Sequence, residues 1–179
     1  MKSKPIEFEN ILLYPEYCGL SVFQLCQVSK EKPSSVIVAA TVYEGCNYCF
    51  VLRHGDVVYR RAKHRLYATE VGVVEKGELP PTPVFISTVG WVLPIICYEL
   101  VYPEDWFAVC VKVIDIRAVL HMVGFPMTSE DQREGWVAMH KAISLVYGCP
   151  VVCCCGGKSG RMNITGVVKD GREGLRSRV

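Results

Sequence analysis

No stretch of the 179-residue chain reaches the roughly 18 to 20 uninterrupted apolar residues that a membrane-spanning helix needs. The opening "MKSKPIEFENILLYPE" lacks the apolar middle and small-residue cleavage site of a signal peptide, so a cytoplasmic protein without a membrane partner is expected. Charge of one sign is also lacking. With 20 Lys and Arg against 18 Asp and Glu, the net charge is only +2, and the terminal "KDGREGLRSRV" forms a short basic tail. That balance gives no nucleic-acid surface. Internal repeats, linkers and low-complexity segments are absent as well, which leaves one domain over 1–179, with a core from about 11 to 171 and a basic tail over 172–179.

What the chain does have is apolar residues, half of the total, and ten cysteines. Most of the cysteines sit inside β-branched runs rather than at regular loop spacings, so reduced, packed thiols are expected rather than a disulfide framework. The apolar runs alternate between strand-like and helix-like stretches, the pattern of a layered α/β or α+β domain. "ILLYPE" reads as a strand, "GLSVFQLCQVSKEK" as a short helix and "SSVIVAATVYE" as a buried strand. "NYCFVLRHGDVVYRR" reads as a hairpin, and a long Gly- and Pro-containing loop follows it. "VFIST", "WVLPIIC" and "RAVLHMVGF" are further strands, with a helix starting at Pro103 between the last two. Ser129 and Gln132 stand at capping-box spacing before a helix whose apolar face is Trp136, Met139, Ile143 and Val146, and Gly148 ends it. "PVVCCC" and "MNITGVVKDG" close the chain as strands.

Two motifs fail on their own chemistry. Gly157-Lys158-Ser159 ends like a phosphate-binding loop, but Val152 stands where that motif needs glycine, and a strand rather than a helix follows. Cys46 and Cys49 form a single C-x-x-C, and Cys153, Cys154 and Cys155 alternate across a strand. Without a second pair or nearby histidines, no metal site and no cofactor are expected.

Three other segments gain meaning together. "ILLYPEYCG" ends an apolar strand on Glu16. "YRRAKHRLYATE" places Lys63 after a strand, with Glu70 seven residues later. "IICYELVYPE" ends another apolar strand on Cys97. In this order the segments resemble the nitrilase superfamily of carbon–nitrogen hydrolases. The closest match is in Ile96, Cys97, Tyr98, Glu99, Tyr102, Pro103 and Glu104, followed by Lys63, Leu66 and Glu70, and then Pro15-Glu16. The resemblance implies an α-β-β-α sandwich, reduced here by loss of an N-terminal strand and helix. It also implies a Glu16, Lys63, Cys97 catalytic set acting on a small amide or related C–N bond, and a homodimer.

In that scheme Glu16 takes the proton from Cys97, which attacks the substrate carbon to form a thioester. Lys63 and the backbone N–H of Tyr98 stabilise the developing charge, and Glu70 positions Lys63 or water. Glu99 and Glu104 are expected to hold the turn and the following helix. Tyr17, Tyr67, Tyr98 and His121 either line the pocket or pack around it. Departures from the family pattern lie at the short N-terminal part and at "KAISL", with Asn163 or Thr165 near a position that is often Ser. A non-catalytic binding or assembly module on the same sandwich is the alternative.

Overall fold

A computed structural model describes residues 5–110, 115–124, 129–156 and 164–173. Its strands form two sheets. The first runs in the order β1 (Ile6–Phe8), β2 (Ile11–Glu16), β3 (Val36–Tyr43), β4 (Cys46–Arg53) and β5 (Asp56–Ala62). The second contains β6 (Val84–Ile86), β7 (Gly90–Ile96), β8 (Ile116–Val123), β9 (Val151–Cys155), β10 (Gly166–Lys169) and β11 (Arg172–Glu173), adjacent in that order. Helix α1 (Val22–Glu31) covers the outer face of the first sheet, and α3 (Glu130–Tyr147) that of the second; α2 (Pro103–Cys110) follows β7. The result is the expected α-β-β-α sandwich. Before β2 the described residues contain only the three-residue edge strand β1 and no helix.

The central strands are largely apolar because both of their faces are buried. Along β2, Ile11 and Leu13 enter the core between the sheets, while Leu12 and Tyr14 face α1 with Leu25. On β7, Val92 and Ile96 point between the sheets and Leu93 and Ile95 point toward Ile143 of α3. β2 lies against β8 and β9, which closes the two sheets on each other. The parallel pairs β2–β3 and β7–β8 require crossover connections, supplied by α1 and α2.

Local capping follows the expected chemistry. The Ser129 hydroxyl accepts from the Gln132 N–H at the start of α3, and Gly148 ends it in the left-handed conformation at φ 64°. The apolar face of α3 departs from expectation at one place. Ile143 is buried and Tyr147, one turn on, packs against the same core, but Val146 between them turns out of that face and is exposed. Nine cysteines are described, all free thiols and eight of them buried. Gly157-Lys158-Ser159 and Asn163 fall outside the described residues, as do 174–179 of the basic tail.

Candidate active site

Three strand ends bring the candidate residues together between the sheets. In β2 the pairing to β3 slips by one residue, from Leu13 opposite Val38 to Glu16 opposite Ala40. Pro15, which has no N–H to give the ladder, sits in this bulge. The extra residue turns Glu16 onto the same inner face as Leu13. In β4 and β5 strict alternation puts Asn47 and Cys49 of one strand, with Arg61 of the other, on that face, and Lys63 continues it one step beyond β5. Lys63 Nζ donates to Glu16 Oε1 and to Glu70 Oε2, each at 2.6 Å. Asn47 Nδ2 donates to Glu16 Oε1 at 2.7 Å and reaches Glu70 Oε1 at 3.3 Å. Glu70 also accepts from the Tyr17 hydroxyl at 2.5 Å and the Tyr67 N–H at 2.7 Å. Glu16 and Lys63 are each only 1% exposed.

Cys97 begins a 3-10 turn, Cys97–Val101, directly after β7. Its φ of 44° is left-handed, a conformation that costs a non-glycine residue roughly 1 to 3 kcal/mol and persists only where neighbours hold it. Glu99, fully buried, is one such neighbour. Its Oε2 accepts from the Ile96 N–H at 2.9 Å and its Oε1 from the His64 N–H at 2.7 Å. Arg61 grips both carboxylate oxygens at 2.6 and 2.7 Å. Behind the turn, His121 Nε2 lies 3.0 Å from the Cys97 carbonyl oxygen. The thiol lies among the charges of Glu16 and Lys63, with the Gly124 backbone beside it. A Cβ at Gly124 would fall 2.6 Å from Tyr17 Cδ2 and 2.7 Å from Glu16 Oε2, so only glycine lets the chain pass this close.

No protein-family model and no curated protein matches this sequence. Solved structures match its fold. A carbon–nitrogen hydrolase from Helicobacter pylori G27 superposes with a TM-score of 0.72 at 15% identity, over 92% of this chain and 72% of that one. A carbon–nitrogen hydrolase superfamily protein from Xanthomonas campestris, with an arsenic adduct in its active site, gives 0.74 at 15% identity over 93% and 72%. The chain has the carbon–nitrogen hydrolase fold. An amidase from Nesterenkonia sp. AN1, with acrylamide added to its active-site cysteine, is a further likeness at a TM-score of 0.67 and 18% identity, over 92% and 74%. At these identities the likeness is one of architecture.

On this hydrolase fold the two carboxylates around Lys63 have opposite electrostatics. Burial raises the Glu16 carboxyl above its ordinary value, and Lys63 only partly offsets it. Burial also pushes Glu70 upward, but hydrogen bonds from Lys63, Tyr17 and the Tyr67 N–H outweigh it and leave this carboxyl lowered. Burial pulls the Lys63 ammonium down, yet the Glu16 charge beside it leaves the net shift upward. The Cys97 thiol is raised well above its usual range by burial and by the Glu16 charge. At rest the cluster therefore holds a protonated thiol, an ammonium and an ionised Glu70, with Glu16 the less acidic of the two carboxyls.

A cavity of about 340 Å³ opens over Glu16 and Lys63 and is lined also by Tyr17, Val42, Tyr67, Glu70 and Val73. The long loop after β5 supplies much of this wall. Among the described residues Cys97 does not line the cavity and is 1% exposed. Of the four aromatic candidates, Tyr17 and Tyr67 line the cavity. Tyr98 instead stacks edge-on between Tyr67 and Tyr102, and His121 packs behind the Cys97 turn. Thr165 Oγ1 accepts from the Cys155 N–H, and Glu104 lies in the first turn of α2.

Asn47, Arg61, Gly124 and His140 carry no motif that marks them in the sequence. The usable signal was parity: Asn47 and Arg61 fall on the inner face of strands whose other inner residues are packed.

His121, His140 and Cys153 offer ligating atoms within 4.8 Å of one another. The two ring nitrogens are 2.9 Å apart, a hydrogen-bond distance, shorter than the roughly 3.3 Å that two tetrahedral zinc–nitrogen bonds impose.

Proposed function

We propose that this protein hydrolyses a non-peptide C–N bond of a small amide through a thioester on Cys97. The observation that carries the reading is the buried Glu16–Lys63–Glu70 cluster set against a thiol on a left-handed turn. Burying two carboxylates and an ammonium is costly, and a purely structural cluster gains nothing over apolar packing. A pair of carboxyls pushed apart in acidity, beside a nucleophile, divides the labour of acid–base chemistry.

Glu16, the carboxyl with the raised value, acts as base. It removes the thiol proton as Cys97 Sγ attacks the carbonyl carbon, and the C=O π pair moves onto oxygen. The raised thiol means that this proton leaves during attack rather than beforehand. The oxyanion is met by Lys63 Nζ–H and by the Tyr98 N–H, which lies in the first turn of a 3-10 helix, where leading amides lack intrahelical partners. Collapse of the adduct expels the amine, which takes the proton from Glu16 and leaves a thioester. Glu16 then deprotonates a water that attacks the thioester; the second collapse expels Cys97 sulfur, which takes that proton back from Glu16, and releases a carboxylic acid. Glu70 stays ionised throughout and keeps Lys63 charged and aimed.

The test is ammonia release from propionamide, butyramide and isobutyramide by wild type and Cys97→Ala. Turnover confined to the wild type supports the reading; equal inertness of the two proteins overturns it. The closed Cys97 favours one second reading, a binding module on the same sandwich, and that equal inertness is its expectation. A homodimer completes the proposal. Val146 is exposed on α3 beside a groove of Leu100, Val101, Pro103 and Met139, an apolar surface next to the nucleophile turn.

A further inference from the structure

The imidazole pair behind the nucleophile is not used in the reaction above. His121, on β8, and His140, on α3, are both buried, with Trp136 stacked on the His121 ring at 5.2 Å. Their tautomers follow from their partners. The Cys97 carbonyl oxygen can only accept, so at 3.0 Å His121 Nε2 must carry the hydrogen. His121 Nδ1 is then a lone pair, and at 2.9 Å it accepts from His140 Nε2–H. The Cys153 thiol, 3.7 Å away, faces the same lone pair. Hydrogens thus point one way, from α3 through β8 into the nucleophile turn.

The end of this chain is the peptide unit Cys97–Tyr98. Its carbonyl receives the His121 hydrogen, and its N–H is the backbone donor assigned above to the oxyanion. We propose that His121, backed by His140, is a positioning residue that clamps this peptide from behind and polarises its N–H toward the tetrahedral adduct. This rests on the hydrolase reading. A planar peptide accepts at one end and donates at the other, so a hydrogen bond to the carbonyl fixes the direction of the N–H. Each preceding bond in such a chain strengthens the next by roughly 10 to 30%. The turn needs the restraint, since Cys97 sits at φ 44°. An apolar side chain would fill the same space without bringing imidazole N–H groups out of water.

The test compares His121→Leu, which removes the donor, with His121→Gln, whose amide nitrogen can reach the same position. Each is assayed for turnover of the three amides and for alkylation of Cys97 by iodoacetamide, a displacement at saturated carbon that forms no oxyanion. The expected result for His121→Leu is a kcat loss of roughly tenfold to a hundredfold with KM unchanged, part of what losing a whole oxyanion donor costs. Alkylation should keep its wild-type rate, and His121→Gln should recover most of kcat. Equal loss in both assays, or no recovery with glutamine, reduces His121 to packing and overturns the proposal. Wild-type protein inert toward all three amides removes the hydrolase reading and this inference with it; an active wild type with an unimpaired His121→Leu removes this inference alone. Nitrogen-15 NMR of the unmutated protein gives a check that needs no variant to fold. His121 must be protonated at Nε2 and bare at Nδ1, and the reverse tautomer overturns the clamp.

Discussion

Glu16 and Glu70 are the same side chain on one ammonium, and their neighbours make them different. Glu70 receives three hydrogen bonds besides the reach of Asn47, whereas Glu16 receives two and is more deeply buried. Glu16→Gln is therefore expected to lower kcat by roughly a hundred- to ten-thousandfold, the range of a lost general base, while leaving the fold intact by circular dichroism. Glu70→Gln keeps the shape but withdraws a fixed charge from Lys63, and a smaller kcat loss is expected in the same ammonia-release assay. At Gly124 any side chain displaces Tyr17 and Glu16. Gly124→Ala should abolish turnover while the thermal midpoint moves little. A substitution that leaves turnover whole would contradict the tight passage seen there. Glu16, Lys63 and Cys97 stood out in the sequence because each sits at or just past the end of a strand in a recognisable segment. Asn47 did not, because its role depends on which strand lies beside it.

At the scale of elements the bulge in β2 and the turn after β7 do most of the positioning. The strands were legible because two-sided burial writes itself as apolar runs, and α3 because Ser129 and Gly148 mark its ends. The turn after β7 was less so. Its shape depends on Arg61, 38 positions away from Glu99, a pairing with no local signature. Because that pair is fully buried and bidentate, removing one partner strands a charge. Arg61→Met is expected to cost roughly 3 to 5 kcal/mol in urea unfolding. Arg61→Met combined with Glu99→Leu should recover much of that stability but not the activity, since Glu99 also holds the Ile96 and His64 N–H groups. Full recovery of turnover in the double variant would contradict the assignment.

For the whole molecule, the imidazole pair predicts sensitivity to acid. His140 is pulled down to about 4 by burial, and His121 well below its ordinary value by burial and by His140. Unfolded histidine takes a proton near pH 6.5, but the folded protein refuses it until about 4, so the unfolded state holds more protons between these values. Stability is therefore complete above about pH 6.5 and falls toward pH 4, by roughly 3 kcal/mol for His140 alone. Urea midpoints across that window should slope less in His140→Gln than in wild type. Light scattering should return twice the 20.0 kDa chain mass, and Val146→Asp should halve it.

The central claim is that Cys97 carries the acyl group. Its most direct test is peptide-mapped mass spectrometry after acid quench of the protein with butyramide. The expected result is a butyryl adduct on Cys97 that disappears as butyrate accumulates and never forms on Cys97→Ala. No adduct during turnover, or an adduct on another of the ten cysteines, would contradict it.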